Sequence, residues 1–82
     1  MIIRNTKELS AIQNIMTAKT DRIKSVEKLI RQTTASIPNA SPEELDQAIT
    51  DINAFGEEIA ELKEWIGTAK KAIRAFYSPA TV

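Results

Sequence analysis

Four glutamates crowd the second half of this chain, Glu57, Glu58, Glu61 and Glu64, and five cations lie toward its two ends, Arg4, Lys7, Lys70, Lys71 and Arg74. These are the residues whose types and spacing could do chemistry. Clustered carboxylates hold metals or move protons, but helical-bundle metal sites complete the set with a Glu-x-x-His pair. The sequence contains no His and no Cys. That removes the usual general base, the thiol nucleophile and thiolate metal sites. On a helix the acids fall three or four residues from lysines and read as a solvated, salt-bridged face. No Gly-rich phosphate loop occurs. The expectation is a protein without catalytic residues, metal or cofactor.

The cations admit two readings. Lys70, Lys71 and Arg74 near a helix C-terminus are favoured by the macrodipole and need no further role. Alternatively, Arg4, Lys7, Lys70, Lys71 and Arg74, opposed only by Glu8, form an anion- or partner-binding surface with Trp65 and Tyr77 as aromatic platforms. Phe76 falls in the apolar seam described below and reads as core. Trp65 lies one step off that seam and is the better interface candidate, since Trp is enriched among binding hot spots.

Positioning these groups falls to two helices. The chain has 82 residues, 9.1 kDa, 11 Lys+Arg against 11 Asp+Glu, and 43% apolar residues. That composition is ordinary for a folded chain, and zero net charge argues against coating nucleic acid. Leu9, Ile12, Met16, Lys19, Ile23, Val26, Ile30, Thr33 and Ile37 step by alternating three and four. Leu45, Ala48, Ile52, Phe55, Ile59, Leu62, Ile66, Ala69, Ile73 and Phe76 do the same without a polar interruption. Both are heptad seams; neither fits a strand.

Between them Ile37-Pro38-Asn39-Ala40-Ser41-Pro42 carries two prolines that break helix. Ser41-Pro42-Glu43-Glu44 is a capping box with Pro at the first helical position, in which Glu44 reaches back to the Ser41 amide. Asn5-Thr6-Lys7-Glu8 is a weaker start, and Ser78-Pro79 a stop. Helix is therefore predicted over 6–36 and 42–77, with a turn at 37–41 and an extended tail at 78–82. The rods would be about 46 and 54 Å long. So short a connection predicts an all-α, coiled-coil-like antiparallel hairpin within one domain.

Charge supports the pairing: residues 1–40 carry seven cations and three anions, residues 41–82 four and eight. Residue i then faces residue 80 − i, which sets the basic stretch 19–31 beside the acidic stretch 49–61 and Lys19 near Glu58 and Glu61. Ile15 and Leu29 flank the first stripe, and Ile49, Ala60, Trp65, Ala72 and Tyr77 widen the second beyond a two-helix seam. The packing set expected to be completed by another chain is Ile15, Leu29, Ile49, Ile52, Phe55, Ile59, Leu62, Ile66, Ile73 and Phe76. A bundle formed by self-association or with a partner protein is the expected closure. Mixed seam residues select no particular oligomer. Gly56 and Gly67 lie inside helix 2, either tolerated or marking close approach of another backbone.

Two long helices joined by a Pro/Asn/Ser turn resemble the layout of type III secretion needle subunits and their hairpin chaperones. The closing stretch 72–82 resembles the end of small helical phage proteins that sequester cyclic nucleotides in an oligomer. These resemblances imply an assembly subunit, a chaperone, or a binder of anionic small molecules. The leading expectation is a non-enzymatic interaction module that binds itself or another protein; the alternative is an oligomer that holds a nucleotide-like anion. Nucleic acid is the least favoured partner. No signal-peptide core or bilayer-spanning run appears, so a cytoplasmic location is expected, the host cytoplasm for a phage protein, with passage through a secretion channel compatible.

Overall fold

The computed structural model describes residues 1–78. Helix α1 spans Thr6–Ser36 and helix α2 Pro42–Tyr77, joined by a 3-10 turn at Ile37–Asn39. The two helices pack as an antiparallel hairpin, all-α among the described residues. The expected tail lies outside the described residues beyond Ser78, whose amide caps α2 by donating to the Arg74 carbonyl at 2.8 Å.

Each helix starts where its side chains satisfy orphan amides. The Asn5 side chain accepts from the Glu8 amide at 2.9 Å, and the Glu8 carboxylate accepts from the Arg4 amide at 2.8 Å. At α2 the Ser41 hydroxyl accepts from the Glu44 amide at 3.2 Å. The return contact differs from the expected box: Ser41 donates its own hydroxyl proton to the Glu44 carboxylate at 3.0 Å. One hydroxyl thus serves as both acceptor and donor, and the carboxylate has no need to reach the Ser41 backbone.

Every seam position of α1 is buried or half-buried, Lys19 and Thr33 included, and on α2 only Leu45 beside the turn stays exposed. The buried positions of the two helices are equal in number but differ in size. Helix α1 contributes Leu9, Ile23 and Val26, whereas α2 contributes Ala48, Ala69 and Ala72. At the open end Leu9 packs with Ala72, and a small residue opposite a large one lets the backbones approach without losing contact. Val26 is 0% exposed, the largest side chain to be so completely enclosed.

At the open end the segment before α1 adds a contact that its sequence did not announce. Ile3 is buried and clusters with Leu9 and Ala72, flanked by Ile12, Ile73 and Phe76. It acts as a staple, two residues ahead of the cap, that pins the chain entry across both helices.

Arg22 and Glu58 meet in the expected register, the guanidinium forking onto both carboxylate oxygens, with the second bond at 3.1 Å. Lys19 does not pair with Glu58 or Glu61. Arg22 already occupies both oxygens of Glu58, and the Lys19 amine instead lies 5.0 Å from the centroid of the Trp65 ring. A cation over the indole face is an attractive arrangement in its own right.

Two predictions follow from this packing. Ile3→Ala should destabilise the fold by roughly 2 kcal/mol, the low end for deleting a buried Ile side chain. Ile2→Ala, at an 80% exposed position, should change stability by no more than about 0.5 kcal/mol in urea unfolding. Glu58 titrates below its ordinary value of 4.5, because the Arg22 hydrogen bond favours its ionised form. The pair's stabilisation is therefore complete above that value and lost as pH falls beneath it. Thermal melts between pH 7 and pH 3 should show less acid destabilisation for Glu58→Gln than for the parent. Added salt should shrink the difference, since the two side chains are 49% and 35% exposed.

Candidate functional site

In a coiled pair, residues seven apart keep the same bearing, so edges and faces follow from one observed contact. The Arg22–Glu58 bond joins the α1 edge of Glu8, Ile15, Arg22 and Leu29 to the α2 edge of Asp51, Glu58, Trp65 and Ala72. All four of those α2 residues are at least half-buried. On the opposite α2 edge Ile49, Gly56, Lys63, Lys70 and Tyr77 are all exposed. Helix α1 therefore leans over one flank of α2 and leaves the other open.

The hairpin is a flat ribbon, 61 × 20 × 13 Å across its Cα atoms, with two unlike broad faces. The face on the Arg22–Glu58 side exposes Ala11, Ala18, Ser25 and Gln32 from α1 and Gln47, Ala54, Glu61, Thr68 and Ala75 from α2. Ile15 and Leu29 rise from it, 43% and 36% exposed. Its cations are Arg22, bonded to Glu58, and Lys19, over Trp65, against the acids Glu8, Asp51, Glu58 and Glu61. The other face carries Lys24 and Arg31 from α1 and Lys63, Lys70 and Arg74 from α2, against Glu27 and Asp46. Threonines and glutamine fill the space between these charges.

This geometry divides the residues that the sequence grouped at the open end. Lys70, Arg74 and Tyr77 share the basic face with Lys63. Lys7 and Lys71 occupy the two outer edges. Arg4 is engaged by Glu8, through the backbone bond and a guanidinium contact at 3.6 Å. Trp65 belongs to the opposite flank, roughly 18 Å along the helix axis from Tyr77, with its ring under Lys19. Trp65 and Tyr77 are therefore not two platforms of one site. Tyr77 packs edge-on to Phe76 at 5.4 Å between ring centroids, and Phe76 in turn packs on the Ile3 cluster.

The expected packing set also divides. Ile52, Phe55, Ile59, Leu62, Ile66, Ile73 and Phe76 are half-buried within the hairpin itself, whereas Ile15, Leu29 and Ile49 remain exposed. No acidic grouping among the described residues is arranged to hold a metal ion, and they enclose no pocket. No helix among them is long and apolar enough to cross a membrane. Lys63 and Ile3 are the residues that sequence reasoning passed over. The first shows its role only once the open flank of α2 is known, since its heptad spacing from Lys70 and Tyr77 marks one edge but not which edge is covered.

Neither glycine is approached by another backbone: a methyl group added at Gly56 or Gly67 would meet nothing within 4 Å. Within the hairpin both residues cost helix stability without packing return. Gly56→Ala and Gly67→Ala should each stabilise the protein by about 0.5–1 kcal/mol, measured by urea unfolding at fixed protein concentration. A loss of stability would place another chain against that edge. Comparison with protein-family models, with curated proteins and with solved structures finds no match to this chain.

Proposed function

We propose that this chain is a non-enzymatic interaction module, a helical hairpin that self-associates and serves as an accessory, inhibitor, chaperone or assembly subunit. The observation that carries this reading is the shortfall of burial. The Cα radius of gyration is 18.1 Å, against about 12 Å for a compact domain of this length. The accessible surface is 6120 Å², about 1,200 Å² more than a compact monomer of this mass presents. Only seven of the described residues are buried, and three of them are alanines. Two-helix scaffolds of this size usually gain the missing burial from another chain.

A second reading, an oligomer that binds an anionic small molecule such as a nucleotide, draws on the exposed cations Lys63, Lys70 and Arg74 along one line of α2. Because the single chain encloses no pocket among its described residues, such a ligand would have to be gripped between chains. A thermal-shift series with nucleotides and cyclic nucleotides tests it: stabilisation lost in Lys70→Ala and Arg74→Ala supports this reading, and an unchanged melting temperature throughout refutes it.

For the leading reading, light scattering coupled to size exclusion over a hundredfold range of concentration should give a mass at least twice 9.1 kDa. A folded monomer across that range would overturn self-association.

A further inference from the structure

We propose that copies of this chain join side by side, the outer edge of α1 in one copy against the outer edge of α2 in the next, displaced about 12 Å along the helix axis. The inference rests on the self-association reading above and adds to it the surfaces that meet and their direction.

Two triplets of like charge carry it. Lys24, Lys28 and Arg31 step by four and three along α1, and Glu57, Glu61 and Glu64 step by four and three along α2. That spacing keeps each triplet on one stripe of its helix. Counted in heptads from the seam, Lys28, Glu57 and Glu64 lie on the far side of their helices, away from the partner helix. All six residues are exposed, and none enters an ion pair among the described residues.

The triplets cannot meet within one chain. They occupy opposite edges of the ribbon and lie at different levels along it. In the register of Arg22 and Glu58 the paired numbers sum to 80, so Arg31 is level with Ile49, eight residues short of Glu57. A neighbour displaced by those eight residues, about 12 Å, brings Lys24 level with Glu64, Lys28 beside Glu61 and Arg31 level with Glu57. Its α1 runs antiparallel to the α2 that it meets, as inside the hairpin.

The same displacement removes two conflicts. Without it Asp21 would be level with Ile59, between Glu57 and Glu61, and Lys7 level with Ile73, between Lys71 and Arg74. With it Asp21 is level with Gly67, between Glu64 and Lys71, and Lys7 passes beyond the end of α2. The lean of the triplets agrees as well. Lys24 and Arg31 lie toward the basic face and Glu61 toward the other, so each copy steps to the same side of its predecessor.

Charge also fixes the direction of the contact. An edge set against its own duplicate would oppose three cations to three cations, or three acids to three acids, and like-charge juxtaposition suppresses both. The remaining contact is heterologous, and every added copy presents one fresh basic and one fresh acidic edge. Residues 11–36 of α1 then run along residues 52–77 of α2, an overlap of about 39 Å. The contact is polar and exposed, so salt should weaken it.

Sedimentation velocity tests this with neutral substitutions at exposed sites. Lys24→Gln, Lys28→Gln and Arg31→Gln combined in one chain should weaken association about tenfold, as should Glu57→Gln, Glu61→Gln and Glu64→Gln combined in another. Lys63→Gln with Lys70→Gln, on the basic face, should leave association unchanged, and all three variants should be equally helical by circular dichroism. Mixed in equal amounts, the two triple variants should form pairs of twice 9.1 kDa and nothing longer, because each retains one native edge. Because the chain has no Cys, single cysteines report the displacement: Ala35→Cys chains should cross-link to Ala54→Cys chains. A monomeric parent chain overturns self-association itself. An oligomer that either triple variant leaves intact, or that the Lys63 and Lys70 substitutions break, keeps self-association and overturns these edges. A mixture that stays monomeric, or that grows as the parent does, overturns the one-way contact. Cross-linking of Ala35→Cys to Gln47→Cys chains instead keeps the edges and overturns the displacement.

Discussion

The single apolar seam between α1 and α2 is the contact on which the rest of this molecule depends. Leu9, Ile23 and Val26 on α1 and Ala48, Ala69 and Ala72 on α2 are the buried residues of the two helices. A helix pair has a single seam, so every apolar residue outside it stays in water unless something else covers it. Alanine makes the seam close but thin, since it contributes little apolar area of its own. That thinness explains why the buried set is small in a chain of ordinary apolar content, and why the ends need reinforcement. Ile3 supplies it at the open end by folding over Leu9 and Ala72. Pro38, Pro42 and the Ser41 cap supply it at the turn, through fixed backbone rather than burial.

Electrostatics acts on this seam as a selector rather than as a glue. Opposite net charges on the two halves of the chain produce one inter-helix ion pair among the described residues, Arg22 with Glu58, and it is exposed enough for salt to weaken it. Its value lies in register. A slip of one heptad would move Arg22 from Glu58 to Asp51 or Trp65 and carry Lys19 off the indole. The bidentate fork and the cation over Trp65 are neighbours on one flank, and both require α1 to lean that way.

That lean separates the protein's surfaces by chemistry. Covering the Trp65 edge leaves the Lys63, Lys70 and Tyr77 edge open and gathers cations on one broad face. The opposite face is left with alanines, Ser25, Ile15 and Leu29, among the acids Glu8, Asp51, Glu58 and Glu61. The flat ribbon is thus basic on one broad side and carries acids among small and apolar residues on the other.

Helix limits, the turn and the antiparallel pairing were all determined by the sequence, because they rest on local properties repeated many times: heptad spacing, prolines, caps and the sign of charge along each half. An error at one position, such as exposed Leu45, is outvoted by its neighbours. Which flank of α2 would be covered was decided only by the tertiary structure, since it depends on how far each helix turns about its own axis, and that rotation is fixed by the fit of side chains along the whole seam. From it come the partition of Trp65 from Lys70, Arg74 and Tyr77, the diversion of Lys19 from Glu61 to an aromatic ring, and the open surroundings of Gly56 and Gly67. Ile3 was hidden for a different reason: a single apolar residue outside any repeat has no period to reveal it, and its burial exists only where two helix ends and the incoming chain meet.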